Sequence, residues 1–363
     1  MAKNGTDPFT RTPGIAGKAY INCGIADEII SDFTSDDSSK YVYKITGLRG
    51  SGKSVEYSRV IRTLKEDKRW LVYPLSASGE TVSTLIAKLG MEPFIDSKKT
   101  STTTSSTTSV GGSAFIFSGN ETVNVQKNVA DNEKLFSDEA TLTKMISIAN
   151  EKGYKILVGI DDVAKTKETT RLLSIIGSVL LEGMQVYLVV TGLSENIEDF
   201  SSEKNLSFFK RADSREISEL NKYDITYMYE KLLGIDTAEA KRLADVSMGY
   251  AYAYQVLGSL YFRKKPGDRI SDIMPDFERI LFRDSYELIW KSLTVGEKEI
   301  VKCIYQTPNG KAEEIKALMN NPGSYSVYRD RLIRKHIVNG DNRGYLSIRL
   351  PRFDKYIEIW GDE

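Results

Sequence analysis

Apolar positions follow two alternating rhythms up to about residue 220 and a single rhythm after it. Unbroken apolar runs at 41–46, 70–75, 156–160 and 186–190 have the length and the β-branched or aromatic content of buried strands. Between and after them, residues 55–65, 81–89, 138–152 and 172–180 place apolar side chains three and four apart, as Leu172, Leu173, Ile176, Val179 and Leu180 do. That spacing predicts helices. Four rounds of strand and helix predict a parallel sheet covered on both faces. A short helix at 27–33, packed through Ile29, Ile30 and Phe33, precedes the first strand.

Beyond residue 220 only the helical rhythm remains, at 224–233, 237–248 and 250–262 and then at 286–293, 295–306, 311–319 and 325–335. Thr294 and Glu297 make a capping box at the head of the fifth of these. Ile337 and Val338, a turn over 339–344, and residues 345–348 predict a closing hairpin. Helices followed by a two-stranded wing is the order of a winged helix-turn-helix. One stretch breaks the pattern: twelve of residues 97–113 are Ser or Thr. It cannot bury enough apolar surface to offset its ordering entropy. Residues 97–131 are therefore expected to be a flexible surface insertion, with a weak hairpin at 114–117.

The chemistry sits at the end of the first strand. Gly47-Leu48-Arg49-Gly50-Ser51-Gly52-Lys53-Ser54 fits G-x-x-x-x-G-K-[ST] in full, between a strand and a helix beginning near Val55. Glycines at these positions let successive amide groups curve around a phosphate, and the helix adds its positive end. Lys53 is expected on the β- and γ-phosphates and Ser54 on Mg2+, which makes ATP and Mg2+ the expected cofactors. Gly47, Arg49, Gly50, Ser51, Gly52, Lys53, Ser54 and Val55 form the expected cradle. Upstream, Asp7 to Lys18 holds two prolines and two glycines and reads as an extended arm. Ile15 and Gly17 are candidates to lie over the adenine, the alternative being an arm that only packs on the sheet.

The 156–160 run ends in Asp161 and Asp162. Ligands of open α/β sheets bind at the C-terminal ends of the strands, so this pair can meet what Ser54 holds. Asp161 is the expected metal partner and Asp162 the group that polarises water. Thr191, ending the 186–190 run, is the candidate γ-phosphate sensor.

Fifty basic residues balance fifty acidic ones among 363, so nucleic-acid binding needs a local patch. Residues 325–352 supply one, with seven basic residues against two acidic, or +5. Arg329, Arg331, Arg334 and Arg343 are the candidates for contact with double-stranded DNA. Docking against protein alone stays open beside it. His336, the single histidine, ends the basic helix and reads as a cap rather than a catalyst. Cys23 and Cys303 lack metal-ligand spacing and fit a reduced, cytoplasmic setting. Neither a signal peptide nor a run of about 18 apolar residues stands in the sequence, and no membrane role is expected.

In this order the P-loop, Asp161-Asp162, Thr191, the helices after 220 and the winged helix resemble prokaryotic AAA+ and STAND-type ATPases, including archaeal ATPases related to origin-recognition proteins. Pro13 to Lys18 is similar to the family's adenine-contacting segment, with Gly17-Lys18 where Gly-Arg is usual. The resemblance implies an α/β P-loop NTPase with a three-layer parallel sheet at 1–220, a helical lid at 221–283 and a winged helix at 284–363. Two departures stand out. Gly249-Tyr250-Ala251-Tyr252 occupies the place of the lid arginine, and Asp161-Asp162 replaces the common Asp-Glu. Both imply slow hydrolysis, as in STAND switches. Arg211 and Arg215 are candidate arginine fingers toward a neighbour in a homo-oligomer. The expectation is an ATP-binding, slowly hydrolysing switch whose nucleotide state governs the winged helix. A metabolic kinase fits worst, because no second substrate motif accompanies the P-loop.

Overall fold

The computed structural model describes residues 5–95 and 127–361. The expected insertion, apart from 127–131, and its hairpin at 114–117 lie outside the described residues. Five parallel strands form the central sheet: β1 (Val42–Thr46), β2 (Trp70–Ser76), β3 (Lys155–Asp161), β4 (Val186–Gly192) and β5 (Asp213–Glu216), in the order β2-β3-β4-β1-β5. β4 thus lies between the P-loop strand and the acidic strand, with Val42 opposite Leu188 and Ile160 opposite Val190.

Alternation along each strand builds the three layers. Leu157, Val189, Tyr43 and Ile45 point to one face, where α1 (Ile25–Thr34) and α2 (Lys53–Glu66) cover them. Ile156, Val158, Leu188 and Val190 point to the other. There they meet α3 (Thr81–Leu89), α4 (Lys127–Glu151) and α5 (Lys167–Leu181). α4 begins eleven residues before the expected 138, so residues 127–131 are helical rather than part of an irregular insertion. β5 was not expected either. Its sequence Asp-Ser-Arg-Glu has no apolar run, because as an edge strand it pairs with β1 alone and leaves Ser214 and Glu216 exposed.

After α6 (Ser194–Asp199), α7 (Ser207–Arg211) and β5 the chain turns helical, with α8 (Lys222–Leu233), α9 (Thr237–Ser247), α10 (Ala251–Arg263) and α11 (Ile270–Leu281). A π turn over Phe282–Tyr286 carries α11 straight into α12 (Glu287–Ser292). α13 (Val295–Gln306), α14 (Ala312–Leu318) and α15 (Tyr325–Arg334) follow. A short antiparallel pair, β6 (Val338–Asn339) with β7 (Ser347–Ile348), and α16 (Phe353–Trp360) complete the order of a winged helix. The capping box is present, the Thr294 N–H donating to Glu297 Oε2 at 2.8 Å. One apolar core joins these helices from Ile225 to Ile357, and Phe9 and Ala19 of the N-terminal arm belong to it. The arm therefore packs on the lid helices rather than on the sheet. No helix among the described residues is long and apolar enough to cross a membrane.

Candidate functional site

The turn after β1 curves because its glycines leave the right-handed region, with φ of 77° at Gly50 and 109° at Gly52. α2 then begins at Lys53, so its first amide groups face the cradle. Lys53 Nζ donates to the carbonyls of Gly47 and Leu48, both at 3.0 Å. Burial pushes its ammonium down to about 8, Asp162 pulls it back up, and Arg49 lowers it further. Ser51 Oγ is buried without a partner in the same loop.

Behind the loop the three expected side chains meet on one atom. Asp161 Oδ1 accepts from Thr191 Oγ1 at 2.5 Å and from Ser54 Oγ at 3.2 Å. Thr191 also accepts the Asp162 N–H at 2.8 Å, and its own carbonyl takes the Val163 N–H at 2.7 Å. These bonds hold Asp162 at φ 53°, a left-handed conformation that a non-glycine residue adopts only when its surroundings fix it. Thr191 is fully buried and its hydroxyl is spent on the acidic pair. Its expected place beside the phosphates is thus filled indirectly, through Asp161.

These residues line a cavity of about 580 Å³. Its walls come from four parts of the chain: the N-terminal arm with Arg11, Pro13, Ile15 and Gly17; the P-loop from Arg49 through Val55; Asp161, Asp162 and Thr191; and the later helical region with Tyr252 of α10 and Asp284 and Ser285 of the π turn. Gly14 of the arm comes so near α2 that an added Cβ would lie 2.7 Å from Ser58 Oγ. The arm is stitched to α10 by Thr10 N–H on Gln255 Oε1 at 2.9 Å and by the Tyr254 hydroxyl on the Ala19 carbonyl at 3.0 Å.

The lid contacts lay beyond sequence reasoning. The Tyr250 hydroxyl bonds the Arg49 carbonyl and Ser285, and the Tyr252 N–H bonds the Gly50 carbonyl at 3.1 Å. The Tyr252 hydroxyl donates to Asp284 at 2.7 Å. Ser285 and Asp284 lie in the π turn, so two P-loop carbonyls connect through two tyrosines to the segment that enters the C-terminal helices. The only signal in the sequence was the Tyr-x-Tyr at the position of the missing lid arginine.

Two further expectations change. Arg215 lies within β5, its guanidinium paired with Glu28 at 2.5 and 2.8 Å and stacked over Tyr43, so its own chain engages it. Arg211 is exposed at the C-terminal end of α7, just before β5. The four DNA candidates do not form one free face. Arg329 pairs with Asp330 at 2.7 Å, Arg343 is exposed in the β6–β7 turn, and Arg331 and Arg334 look toward the P-loop domain. His336 terminates α15 at φ 58°, as expected of a cap, and burial lowers its pKa.

A family model described as "Domain of unknown function (DUF8462)" matches residues 283–357. No curated protein matches the chain. Among solved structures, the Aeropyrum pernix ORC2 protein in ADPNP–ADP complexes is similar over 99% of this chain and 95% of that chain, with 12% identity and a TM-score of 0.58. Cdc6p from Pyrobaculum aerophilum covers 96% of this chain and 97% of its own at 12% identity and a TM-score of 0.43. AMPPCP-bound DnaA from Aquifex aeolicus covers 93% and 92% at 11% identity and a TM-score of 0.40. The likeness to the first of these shows the fold: an α/β P-loop domain followed by a helical region.

Proposed function

We propose that this chain is an ATP-binding molecular switch of the AAA+ type that hydrolyses ATP slowly and uses nucleotide state to set its C-terminal helices. The observation that carries the reading is the single 580 Å³ cavity where the P-loop, the acidic pair, the N-terminal arm and the lid converge. Its volume is that of a small-molecule site. The triphosphate lies along Gly50 to Ser54, with Lys53 turning from the Gly47 and Leu48 carbonyls to phosphate oxygens. The adenine lies against Ile15 and Gly17 of the arm.

Ser54 and Asp161 offer hard oxygen donors 3.2 Å apart, which suits Mg2+ sharing its remaining positions with phosphate and water. When bound, that ion neutralises charge on the β- and γ-phosphates. Asp162, held outward by its left-handed backbone, orients the attacking water and takes up its proton. Thr191 fixes the Asp161 carboxylate and the Asp162 backbone. α10 lines the cavity with Ala251, Tyr252, Tyr254 and Gln255 and no cation, which supports slow turnover.

The tyrosine bridge gives the site its output, since any shift of the P-loop carbonyls on nucleotide binding moves Tyr250, Tyr252 and the π turn. The C-terminal unit then contacts duplex DNA through Arg329, Arg331, Arg334 and Arg343. One observation favours a second reading, a unit that contacts protein only: Arg334 and Lys335 already meet carboxylates of the P-loop domain. Isothermal titration with MgATP tests the primary claim. Lys53→Ala should lose at least tenfold in affinity, and unchanged affinity overturns the assignment of the cavity.

A further inference from the structure

The basic end of α15 lies beside the P-loop domain, with Arg331 and Arg334 still exposed. Lys335 Nζ lies 3.2 Å from Glu195, and Arg334 lies 3.4 Å from Glu198. His336 Nε2 is 3.2 Å from Glu216, and Arg349 Nη2 donates to Glu219 at 2.8 Å. All four carboxylates belong to the P-loop domain side of the molecule. Glu195 and Glu198 lie on α6, directly after β4, while Glu216 ends β5 and Glu219 follows it. Glu195 and Glu198 line a cavity of about 330 Å³ together with Gly47, Leu48 and Arg49 of the phosphate loop and Arg331, Arg334 and Lys335.

We infer that this acidic face is an intramolecular mimic of a polyanion, and that it competes with duplex DNA for the basic face of the C-terminal unit. The inference rests on the DNA-contact reading given above. Charge complementarity carries it. In a chain of zero net charge, the segment 325–352 holds +5, and Glu195, Glu198 and Glu219 of the face opposite it pair with Lys335, Arg334 and Arg349. Exposed ion pairs are individually weak and screened by salt, so such a cover is one that a phosphate backbone can displace. Arg331 and Arg334 line the cavity beside the phosphate loop, which places the covered face next to the element that nucleotide binding reshapes.

The test uses the full chain, a fluorescein-labelled 30-base-pair duplex of mixed sequence, and hydrogen exchange over 325–336. The variant is E195Q/E198Q/E219Q. The control, E66Q/E151Q/E182Q, removes as many exposed carboxylates at the end of the sheet away from the phosphate loop, where the chain enters β2, β3 and β4. The expected result is faster exchange and about tenfold tighter duplex binding for the variant alone. Unchanged exchange overturns the latch. Faster exchange with the variant and control binding DNA equally overturns the competition while leaving the DNA reading intact. Faster exchange with no duplex binding by any protein removes the DNA reading, and the competition with it.

Discussion

The Tyr250 hydroxyl lies 2.8 Å from the Arg49 carbonyl and 2.7 Å from Ser285 Oγ, so one buried oxygen ties the phosphate loop to the π turn between lid and C-terminal helices. The packing there is tight: a Cβ on Gly50 would come 2.3 Å from the same hydroxyl. Tyr250→Phe keeps the ring and removes the bridge. The buried Ser285 hydroxyl and the Arg49 carbonyl then lose a hydrogen bond, which costs about 1–3 kcal/mol. Thermal unfolding should register this loss, and titration should show MgATP binding weakened several-fold. Unchanged values for both would mean that the tyrosine only fills space.

The acidic pair gives a different kind of prediction. Thr191 donates to Asp161 and accepts from the Asp162 backbone, and it touches neither face of the open cavity with a free hydroxyl. Thr191→Val is close to isosteric. It frees Asp161 from one donor and releases the turn that sets Asp162. MgATP affinity should stay within about threefold of the wild type, while single-turnover hydrolysis should fall about 10- to 100-fold. Equal losses in affinity and rate would instead point to a collapsed site.

Lys53 makes the site pH-sensitive. Burial holds the free protein's ammonium down at about 8 against the ordinary lysine value of 10.5, whereas bound phosphate favours the charged form. Below pH 8 the lysine is already charged and affinity should be flat. Above it, each unit costs about 1.4 kcal/mol, or tenfold, to recharge the group. Stability runs the other way. Between about pH 8 and 10.5 the unfolded chain keeps a proton that the folded chain has lost, so ligand-free stability gains from this group as pH rises. Titrations and denaturant melts at pH 7, 8 and 9 should show both trends. Lys53→Met should abolish the stability trend.

The parts of this molecule that were legible in sequence are those whose signal is local. A P-loop needs glycines at fixed spacing, and a strand buried on both faces reads as an unbroken apolar run, so Gly47 to Ser54 and β1 through β4 stood out. Asp161 and Thr191 were found because strand ends in a parallel sheet point to one edge. β5 was illegible because an edge strand needs no apolar run. The tyrosine bridge was illegible for another reason. Tyr250 and Arg49 are 201 residues apart, and a hydroxyl on a backbone carbonyl leaves no pattern in either segment. The docking of Arg334 and Lys335 on Glu195 and Glu198 is hidden likewise, since a basic helix reads the same whether it faces DNA or carboxylates.

Arg215 separates a structural arginine from a catalytic one. Its guanidinium forks onto Glu28 of α1 and lies 5.5 Å from the Tyr43 ring, which fastens the edge strand to the helix layer. The pair is partly exposed, with Glu28 about 40% accessible, so solvent screening limits its worth to about 1 kcal/mol or less. Arg215→Ala should therefore lower the unfolding midpoint slightly and leave hydrolysis per chain unchanged at every protein concentration. An arginine finger would behave in the opposite way, leaving stability intact and cutting turnover by about 10³-fold or more. Comparing the melting curve with the turnover of the same preparation decides between the two roles.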